Sequence, residues 1–365
     1  MKKIAYIARN LNVNGISSVI LNYCEKLDKE KFEISIFAGK PINSINIERC
    51  KKNNIKIIET PKKRGKNPLK YYIFLFKKLK DFDIVHVHGN SRTILLELLI
   101  SKFNKNKFNI AHCHSTTCDN KFFHFLFTPF FKKSYDIGLA CSNDAGRWMF
   151  GKNNFFILPN GFDTKKFIFD SNLRNEIRTK LNLHGRFVIG HTGNFSEPKN
   201  YPFIIEVFDE ICKFRNDVAL LLIGNNNNDK YLKEKILNSK NSDKIILYGT
   251  TSEIYKVYNA MDSFLFPSKY EGLGIVLLEA QCNGLKCITS TAVPRDVKID
   301  DRLIEFLDLN CKKSEWINSI FNNNEITDRK KLFFKNKKKI DEYNIDNCIL
   351  KLQDIYEKGV RNENN

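Results

Sequence analysis

The chain has 365 residues, 42% of them hydrophobic, and a formal net charge of +19 at pH 7. This length allows a sizeable core and favours two domains over one. No apolar run reaches the roughly 18 to 20 residues of a membrane span, and the first residues lack a signal-peptide core, so we expect a cytosolic protein. The ten cysteines, several of them within apolar runs, are typical of free thiols in a reducing compartment.

Short apolar strands alternate with helices through the first half of the chain. A strand at 2–8 is followed by a glycine turn and a helix at 16–27. The same alternation predicts strands at 32–39, 55–60, 83–89, 108–114 and 136–142, and helices at 68–80 and 91–102. This order indicates a parallel sheet with both faces covered, and such sheets bind ligands at the carboxyl ends of their strands.

A second series begins after the Pro-Asn-Gly turn in ILPNGFD (157–163), where we place a domain boundary. It predicts strands at 187–194, 218–224, 244–249, 263–268 and 285–290, helices at 202–214, 230–237, 252–261 and 275–283, and a terminal amphipathic helix at 344–360. We therefore predict an α/β protein with two Rossmann-like, doubly wound parallel-sheet domains. They would span residues 1–163 and 164–340, with a terminal segment at 341–365.

The segment PSKYEGLGIVLLEAQCNG (267–284) combines two acids with a glycine turn. Glu271 directly precedes Gly272-Leu273-Gly274, and Glu279 lies eight residues further along, in the predicted helix. Glycines let backbone N–H groups approach a ligand closely, and a helix N-terminus attracts phosphate. The pattern therefore suits an extended anionic ligand, although a buried turn with two incidental acids fits it about equally well.

This segment resembles the signature of the retaining glycosyltransferases of family 4, whose Glu-x7-Glu pair begins at such a turn. Those enzymes have the GT-B fold, in which two Rossmann-like domains face a central cleft. The resemblance is nearest to bacterial capsular and exopolysaccharide glycosyltransferases. It extends along most of the chain through VNGISSVI, DIVHVHG, IAHCHST, CSNDAGRWMFG, ILPNGFDTKKF, IGHTGNFSEPKN, YNAMDSFLFPS and STAVPRDVKI.

The resemblance assigns roles to residues at both ends of a nucleotide-sugar donor. Glu279 would bind the ribose hydroxyls, and Glu271 would bind the hydroxyls of the donor sugar. His114 and Gly15 would lie near the transferred sugar, and Lys199 would neutralise the departing diphosphate. The backbone that would hold the diphosphate belongs to Gly272, Leu273, Gly274 and Ile275. The base would lie near Asn225 and Thr250.

One position departs from the family pattern. The family pairs an arginine with the lysine, but Asn194 stands where the arginine is expected. The loss of one charge-assisted hydrogen bond would weaken leaving-group stabilisation by roughly 1.5 to 3 kcal/mol. A nearby cation such as Arg186 or Arg147 could compensate; otherwise the chain would be slow or differently arranged.

We expect no metal and no cofactor. The resemblance implies metal-independent, front-side transfer with retention, which agrees with the lack of an Asp-x-Asp pair beside a strand end. A zinc site at His112-Cys113-His114 with Cys118 is the weaker alternative, because successive strand residues face opposite sides. His86 and His88, which share one strand face, are expected to be core or supporting residues.

The first half of the chain is strongly basic, with 28 Lys and Arg against 12 Asp and Glu in residues 1–160. Segments 61–80 and 121–133 interleave cations with aromatic rings, as at an anionic membrane surface. For 61–80, a core helix with solvated lysines is an equal alternative. The predicted membrane contacts are Lys62, Lys63, Arg64, Lys66, Phe122, Phe123, Phe125, Phe127, Phe130 and Phe131.

The sequence thus predicts an enzyme at the inner face of the cell membrane that moves a sugar from a nucleotide-diphosphate sugar, UDP-linked, to a lipid-linked saccharide acceptor in cell-surface polysaccharide synthesis. A non-catalytic nucleotide-sugar-binding protein and a nucleotide-sugar 2-epimerase are alternatives. A nucleic-acid-binding protein is disfavoured because no usual nucleic-acid motif occurs. By resemblance, the terminal helix would cross back onto the first domain.

Overall fold

The computed structural model describes residues 1–12, 15–62, 68–104, 108–224, 230–322 and 328–361. The chain divides into two compact units, Met1–Phe162 with Glu342–Asn365, and Asp163–Asp341. The predicted domain limits, 163 and 340, each differ by one residue from this division. The terminal segment belongs to the first unit, where Phe162 donates its backbone N–H to the carbonyl of Tyr343 at 3.1 Å.

The strands of the first unit form one parallel sheet in the order β3-β2-β1-β4-β5-β6-β7. In β4 and β5 nearly every residue is buried, as expected of central parallel strands, and the buried residues include His86, His88 and His112. The strands are β1 (Lys2–Leu11), β2 (Phe32–Ile42), β3 (Lys56–Glu59), β4 (Ile84–Gly89), β5 (Phe108–Cys113), β6 (Ile137–Ala140) and β7 (Phe156–Ile157).

Helices connect these strands. They are α1 (Gly15–Lys26), α2 (Ser44–Lys52), α3 (Pro68–Lys78), α4 (Leu95–Phe103), α5 (Lys121–Leu126), α6 (Thr128–Phe131) and α7 (Asn143–Phe150). Four of them were not predicted: α5 and α6, and also α2 and α7, neither of which continues an apolar run. Side-chain caps begin α2 and α7: Asn43 accepts the N–H of Ile45, and Ser142 accepts that of Ala145.

The second unit contains a parallel sheet in the order β10-β9-β8-β11-β12-β13. Its strands are β8 (Phe187–Thr192), β9 (Val218–Ile223), β10 (Ile245–Gly249), β11 (Ser263–Phe266), β12 (Lys286–Ser290) and β13 (Ile304–Leu307). The central strands β8, β9, β11 and β12 are almost wholly buried. The edge strand β13 was not predicted; it has four residues, of which only Ile304 is buried.

Helices cover this second sheet. They are α8 (Ser171–Lys180), α9 (Tyr201–Ile211), α10 (Lys230–Leu237), α11 (Ile254–Tyr258), α12 (Ile275–Cys282), α13 (Lys313–Phe321), α14 (Arg329–Lys335) and α15 (Lys337–Ile340). The prediction missed α8, α13, α14 and α15, and it made α11 too long. Trp316 of α13 is fully buried in the core with Ile204 and Phe208 of α9.

The last helix, α16 (Ile345–Arg361), packs in the first unit. Its Tyr356 is fully buried, and the Tyr356 hydroxyl lies 2.6 Å from the hydroxyl of Tyr6 on β1. On the opposite face of α16, Lys351, Asp354 and Lys358 are exposed, as the predicted amphipathic pattern requires. All ten cysteines are free, as predicted.

Candidate functional site

The predicted donor residues of the second unit gather at the carboxyl edge of its sheet. The chain leaves β11 and passes through Ser268 and Glu271 before the glycine turn that opens α12. Gly274 has φ = 87°, a left-handed conformation that a side chain would strain, and it caps α12. The first N–H groups of α12 have no carbonyl in their own helix to bind, so this end of the helix can receive an anion.

Lys199 and Glu271 form an ion pair at this edge. The Lys199 Nζ lies 2.5 Å from Glu271 Oε1, and the hydroxyl of the buried Ser268 donates to the same oxygen at 2.8 Å. Both charged side chains are largely shielded, with 20% and 14% of their surface exposed. The Lys199 ammonium also lies 4.7 Å above the centre of the Phe266 ring. Lys199 and Glu271, which were predicted to bind the diphosphate and the sugar of the donor, are therefore in direct contact in this structure.

Backbone contacts hold the two loops of this site together. Lys199 ends a short 3-10 turn, Glu197–Lys199, and Asn200 then adopts a left-handed conformation at φ = 54°. The N–H of Lys269 donates to the carbonyl of Pro198 at 2.8 Å, and the Asn200 amide donates to the carbonyl of Pro267 at 3.2 Å. The loop after β8 is therefore fastened to the loop after β11, which fixes the Lys199 and Glu271 backbones relative to each other.

Glu279 lies in α12 beside Tyr258 of α11. The Tyr258 hydroxyl donates to Glu279 Oε2 at 2.9 Å. Burial raises the pKa of the Glu279 carboxyl to about 7, although the tyrosine hydrogen bond acts in the opposite direction. The side chain keeps partial exposure, so its carboxylate can still reach a ligand. A carboxyl that changes charge near neutral pH is typical of a ligand-binding site.

The remaining predicted donor residues of the second unit differ in the groups that they could present to a ligand. Asn194 is exposed after β8, and Thr250 is exposed directly after β10. The side chain of Leu273 is buried, so only its backbone could contact a ligand. Ile275 is partly buried as the first residue of α12. Asn225 lies outside the described residues.

Arg186 cannot replace the missing family arginine, contrary to one of the possibilities drawn from the sequence. It directly precedes β8, so it lies at the amino edge of the sheet, whereas Lys199 follows the carboxyl edge. The six residues of β8 separate these edges by about 20 Å, which exceeds the reach of an arginine side chain. Arg147 belongs to α7 in the first unit.

In the first unit, His114 directly follows β5 and is buried. Its Nδ1 lies 3.2 Å from the amide oxygen of Asn160, and its Nε2 lies 2.8 Å from His88 Nδ1. Burial lowers the pKa of His114 to about 4, so the ring is neutral at pH 7. Both ring nitrogens already have partners, and a ring contact to a sugar would have to replace one of them. Gly15 is exposed as the first residue of α1.

The weaker zinc alternative does not assemble. His112 and His114 lie on one face of β5, but Cys113 points elsewhere and donates its thiol to the carbonyl of Ser115 at 3.2 Å. Among the described residues, the histidines that come together are instead His86, His88 and His112, with His114 beside them. The expectation that His86 and His88 are buried supporting residues agrees with this arrangement.

Sequence reasoning missed three residues that support these sites. Ser268 positions Glu271, Tyr258 binds Glu279, and Asn160 binds His114. Asn160 had a signal, because it lies in the Pro-Asn-Gly turn. Nothing in the sequence marked Ser268 or Tyr258 as site residues, because only the fold brings their side chains to Glu271 and Glu279.

Four exposed rings on α5 and α6 are among the ten predicted membrane residues and are here called the phenylalanine surface: Phe122, Phe123, Phe125 and Phe130. Phe122, Phe125 and Phe130 are 70%, 58% and 65% exposed, and Phe123 is also exposed. Phe127 is half-buried. The prediction for Phe131 was wrong, because that ring is buried against Tyr135 and Phe150.

The second predicted membrane segment is described only in part. Lys62 is exposed, whereas Lys63, Arg64 and Lys66 lie outside the described residues. In α3, Tyr71 and Leu75 are buried while Leu69, Ile73 and Phe76 are exposed. This helix therefore combines a core face with an exposed apolar face. In the part of the chain that the structure describes, no helix has the length and apolarity to cross a bilayer.

Solved structures share this fold over nearly the whole chain. HepE of Anabaena in complex with UDP aligns with a TM-score of 0.80 at 12% identity, covering 98% of this chain and 100% of that one. A glycosyltransferase from Rickettsia africae aligns with a TM-score of 0.81 at 16% identity, with 99% of both chains covered. The fold is that of the GT-B glycosyltransferases.

Family models identify the chain more closely. The model for Glycosyltransferase Family 4 matches residues 13–166, and the model for Glycosyl transferases group 1 matches residues 174–300. Together they cover more than half of the sequence. The chain belongs to the glycosyltransferases of family 4.

Relatives with curated names are similar over most of their length. EpsF of Bacillus subtilis (strain 168) is 25% identical over 334 residues, which are 87% of each chain. A UDP-Gal:alpha-D-GlcNAc-diphosphoundecaprenol alpha-1,3-galactosyltransferase of Escherichia coli is 25% identical over 388 residues, covering 97% of this chain and 96% of that protein. The capsular polysaccharide biosynthesis glycosyltransferase CapH of Staphylococcus aureus is 25% identical over 310 residues, or 80% and 81%.

Proposed function

We propose that this glycosyltransferase moves a sugar from a UDP-sugar to a lipid-linked saccharide, with retention of the anomeric configuration, during cell-surface polysaccharide synthesis. The observation that carries the proposal is the carboxyl edge of the second sheet. There Lys199, in the loop after β8, pairs with Glu271, and the chain continues from Glu271 through the turn ending at Gly274 to Glu279 in α12. A named UDP complex of similar fold and the E. coli relative support UDP as the nucleotide.

Each part of the donor has a partner in this scheme. Glu279 accepts hydrogen bonds from the ribose hydroxyls in its ionised form. The diphosphate lies against the backbone N–H groups of the turn from Gly272 to Ile275, where a helix dipole favours negative charge. Lys199 exchanges Glu271 for a phosphate oxygen, and Glu271 then becomes available to the sugar hydroxyls. Thr250 lies on the side of the base.

The transfer step relies on charge stabilisation and orientation. As the glycosidic bond to the diphosphate breaks, negative charge accumulates on the phosphate, and Lys199 and the α12 N-terminus stabilise it. The departing phosphate takes the proton of the acceptor hydroxyl on the same face of the sugar. No residue of this scheme needs a metal. Asn194 offers a neutral hydrogen bond where a second cation would give a charge-assisted one, so the step is slower than with arginine.

The acceptor is proposed to be carried by a polyprenyl diphosphate at the inner membrane surface. The E. coli relative is named for an acceptor of this kind. The phenylalanine surface would enter the headgroup region, and the lysines that flank it, Lys121, Lys132 and Lys133, would attract anionic lipid. Buried Phe131 has no part in this contact.

A transfer assay with matched variants tests the donor site. Purified protein is given a panel of UDP-sugars and a polyprenyl-diphosphate-linked saccharide, and the product's anomeric configuration is read by NMR. Lys199→Ala should lower kcat by about 10- to 100-fold, the equivalent of one charge-assisted hydrogen bond. Lys269→Ala is the control, because Lys269 lies in the adjoining loop after β11 but pairs with the exposed Glu197.

The same assay separates the alternatives. A non-catalytic binding protein would bind UDP-sugars and release no UDP with any acceptor. A 2-epimerase would convert the donor sugar without an acceptor. Product with inverted configuration, or full activity in Glu271→Ala, would remove the retaining mechanism or the role of Glu271.

A further inference from the structure

Four histidines form a buried cluster on the sheet of the first unit. His86 and His88 lie on one face of β4, and His112 and His114 lie on the same face of the neighbouring β5 and its end. All four side chains are buried. The chain has seven histidines, so this small volume contains more than half of them. The ring centroids of His86 and His88 are 4.3 Å apart, and those of His112 and His114 are 4.2 Å apart.

One hydrogen-bond chain leaves a bare lone pair on His88. The amide oxygen of Asn160 can only accept, so His114 Nδ1 carries the proton of that bond. In the neutral ring, His114 Nε2 must then accept from His88 Nδ1. His88 Nε2 consequently has a lone pair, and it has no hydrogen-bond partner among the described residues. An unsatisfied buried acceptor of this kind destabilises the fold unless a ligand occupies it.

A second chain joins His86 and His112. His86 Nε2 lies 3.1 Å from His112 Nδ1, and His86 Nδ1 lies 2.7 Å from the Tyr356 hydroxyl. The Tyr356 hydroxyl can donate a hydrogen bond to the Tyr6 oxygen, 2.6 Å away, and accept one from the N–H at His86 Nδ1. His86 Nε2 then offers a lone pair towards His112. His112 Nε2 also has no partner in the part of the chain described.

We propose that His86, His88 and His112 form a binding site for a divalent transition-metal ion that prefers imidazole, with Zn²⁺ as the representative ion. One ring nitrogen from each residue lies within 4.8 Å of the others. Two ligands at the usual Zn–N distance of about 2.1 Å are about 3.4 Å apart in a tetrahedral site. The His86 Nε2 to His112 Nδ1 separation of 3.1 Å is already close to that value, so the ion replaces the proton between them.

The surrounding groups suit this site. Metal-bound histidines usually donate their second ring N–H to a neighbour, which fixes the ring orientation. His86 has Tyr356 in this position, and His88 has His114, which Asn160 holds in turn. Histidine must be neutral to bind a metal, and burial keeps the rings neutral. The fourth position would be taken by water or hydroxide.

This site is separate from the proposed transfer reaction, in which no residue uses a metal. Its consequence is local, because a ligated His88 holds the ring of His114 in place. The proposal therefore stands or fails independently of the proposed donor and acceptor.

Metal titration of the full-length protein, made without a polyhistidine tag, tests the site. Chelator-treated protein is titrated with Zn²⁺ against a chromophoric competitor, and with Co²⁺ in parallel. We expect one tight equivalent and a Co²⁺ absorption band of tetrahedral intensity, without the near-ultraviolet thiolate band that cysteine ligands would add. Zn²⁺ should also raise the Tm.

Variants distinguish the ligands from their surroundings. His88→Gln should weaken the tight equivalent more than 100-fold. Tyr356→Phe, which removes a hydrogen-bond partner of a ligand, should weaken it by about 10- to 100-fold. His184→Gln changes an exposed histidine of the second unit and should leave it unchanged.

X-ray absorption on wild-type protein keeps the test decisive if His88→Gln does not fold. Imidazole nitrogens at about 2.0 to 2.1 Å from Zn²⁺, three in number, would support the site, whereas sulfur at about 2.3 Å would assign the ion to cysteines and overturn it. The absence of any tight equivalent, or tight binding that survives in folded His88→Gln, would also overturn it.

Discussion

Glu279→Gln tests how the nucleotide is held, because it keeps the shape of the side chain and removes its charge. In the folded protein burial holds the Glu279 pKa at about 7, whereas the unfolded chain ionises this group near pH 4.5. As the pH rises, the unfolded state therefore loses the proton first. The folded state is penalised progressively between pH 4.5 and pH 7, and the penalty is complete above pH 7.

The penalty can be estimated from the two pKa values. At 1.36 kcal/mol for each pH unit between them, it reaches about 3 kcal/mol, and partial exposure of Glu279 reduces this to about 2 kcal/mol. At pH 8, Glu279→Gln should therefore have a larger free energy of unfolding than wild type. The difference should shrink to near zero at pH 4.5.

Donor binding should change in the opposite sense. Only the ionised carboxylate accepts both ribose hydroxyls, and with a pKa of about 7 its ionised fraction falls about tenfold from pH 8 to pH 6. Wild-type affinity for the donor should fall by the same factor. The neighbouring Tyr258 hydroxyl does not titrate in this range, because burial raises its pKa well above the usual value.

Calorimetric titration with UDP-glucose measures this effect, because its diphosphate does not change charge between pH 6 and pH 8. Glu279→Gln should bind more weakly at pH 8, with little dependence on pH. Denaturant unfolding of both proteins at pH 4.5 and pH 8 gives the stability difference. A wild-type affinity that is constant from pH 6 to pH 8 would refute the assignment of Glu279 to the ribose, and equal stabilities at pH 8 would refute the raised pKa.

Three further predictions concern other parts of the chain. Asn194→Arg should raise kcat by about 10-fold or more, because it restores a cation beside the leaving phosphate, and an unchanged kcat in the transfer assay would contradict that role. Gly224→Ala should lower the Tm by several degrees, because its Cβ would lie 1.8 Å from the carbonyl oxygen of Gly193; a wild-type Tm in thermal unfolding would contradict the packing. Phe125→Ser should reduce binding to vesicles that contain anionic lipid, and Phe214→Ser, which alters an exposed ring of the second unit, should not; equal loss in both would argue against the phenylalanine surface.

The alternation of strands and helices in the sequence predicted the class of fold and most strands of both sheets. Buried parallel strands require apolar residues on both faces, so they leave continuous apolar runs that can be read directly. Helices such as α2 and α8 lack this signal because most of their residues face solvent. Their N-caps were visible in the sequence, but a cap residue is common in loops as well.

The residues of the proposed donor site were predicted at the level of segments. The Glu271 turn and Lys199 were assigned to loops that follow strands, and the structure brings both to one edge of a parallel sheet, where such loops must converge. The contacts within the site could not be predicted, because Lys199 and Glu271 are 72 residues apart and their pairing depends on which strands are neighbours.

The amino-acid sequence by itself determined the family, the two sheets and the chemical types available for binding a donor, since those follow from local patterns. Tertiary structure alone decided which groups meet and what charge they carry. It pairs Lys199 with Glu271, and it buries Glu279, which raises the pKa of that carboxyl to about 7. It also places Arg186 at the end of β8 that is opposite to Lys199. The physical reason is that Coulomb attraction and desolvation depend on distance and burial in space, which neighbouring residues along a chain do not specify.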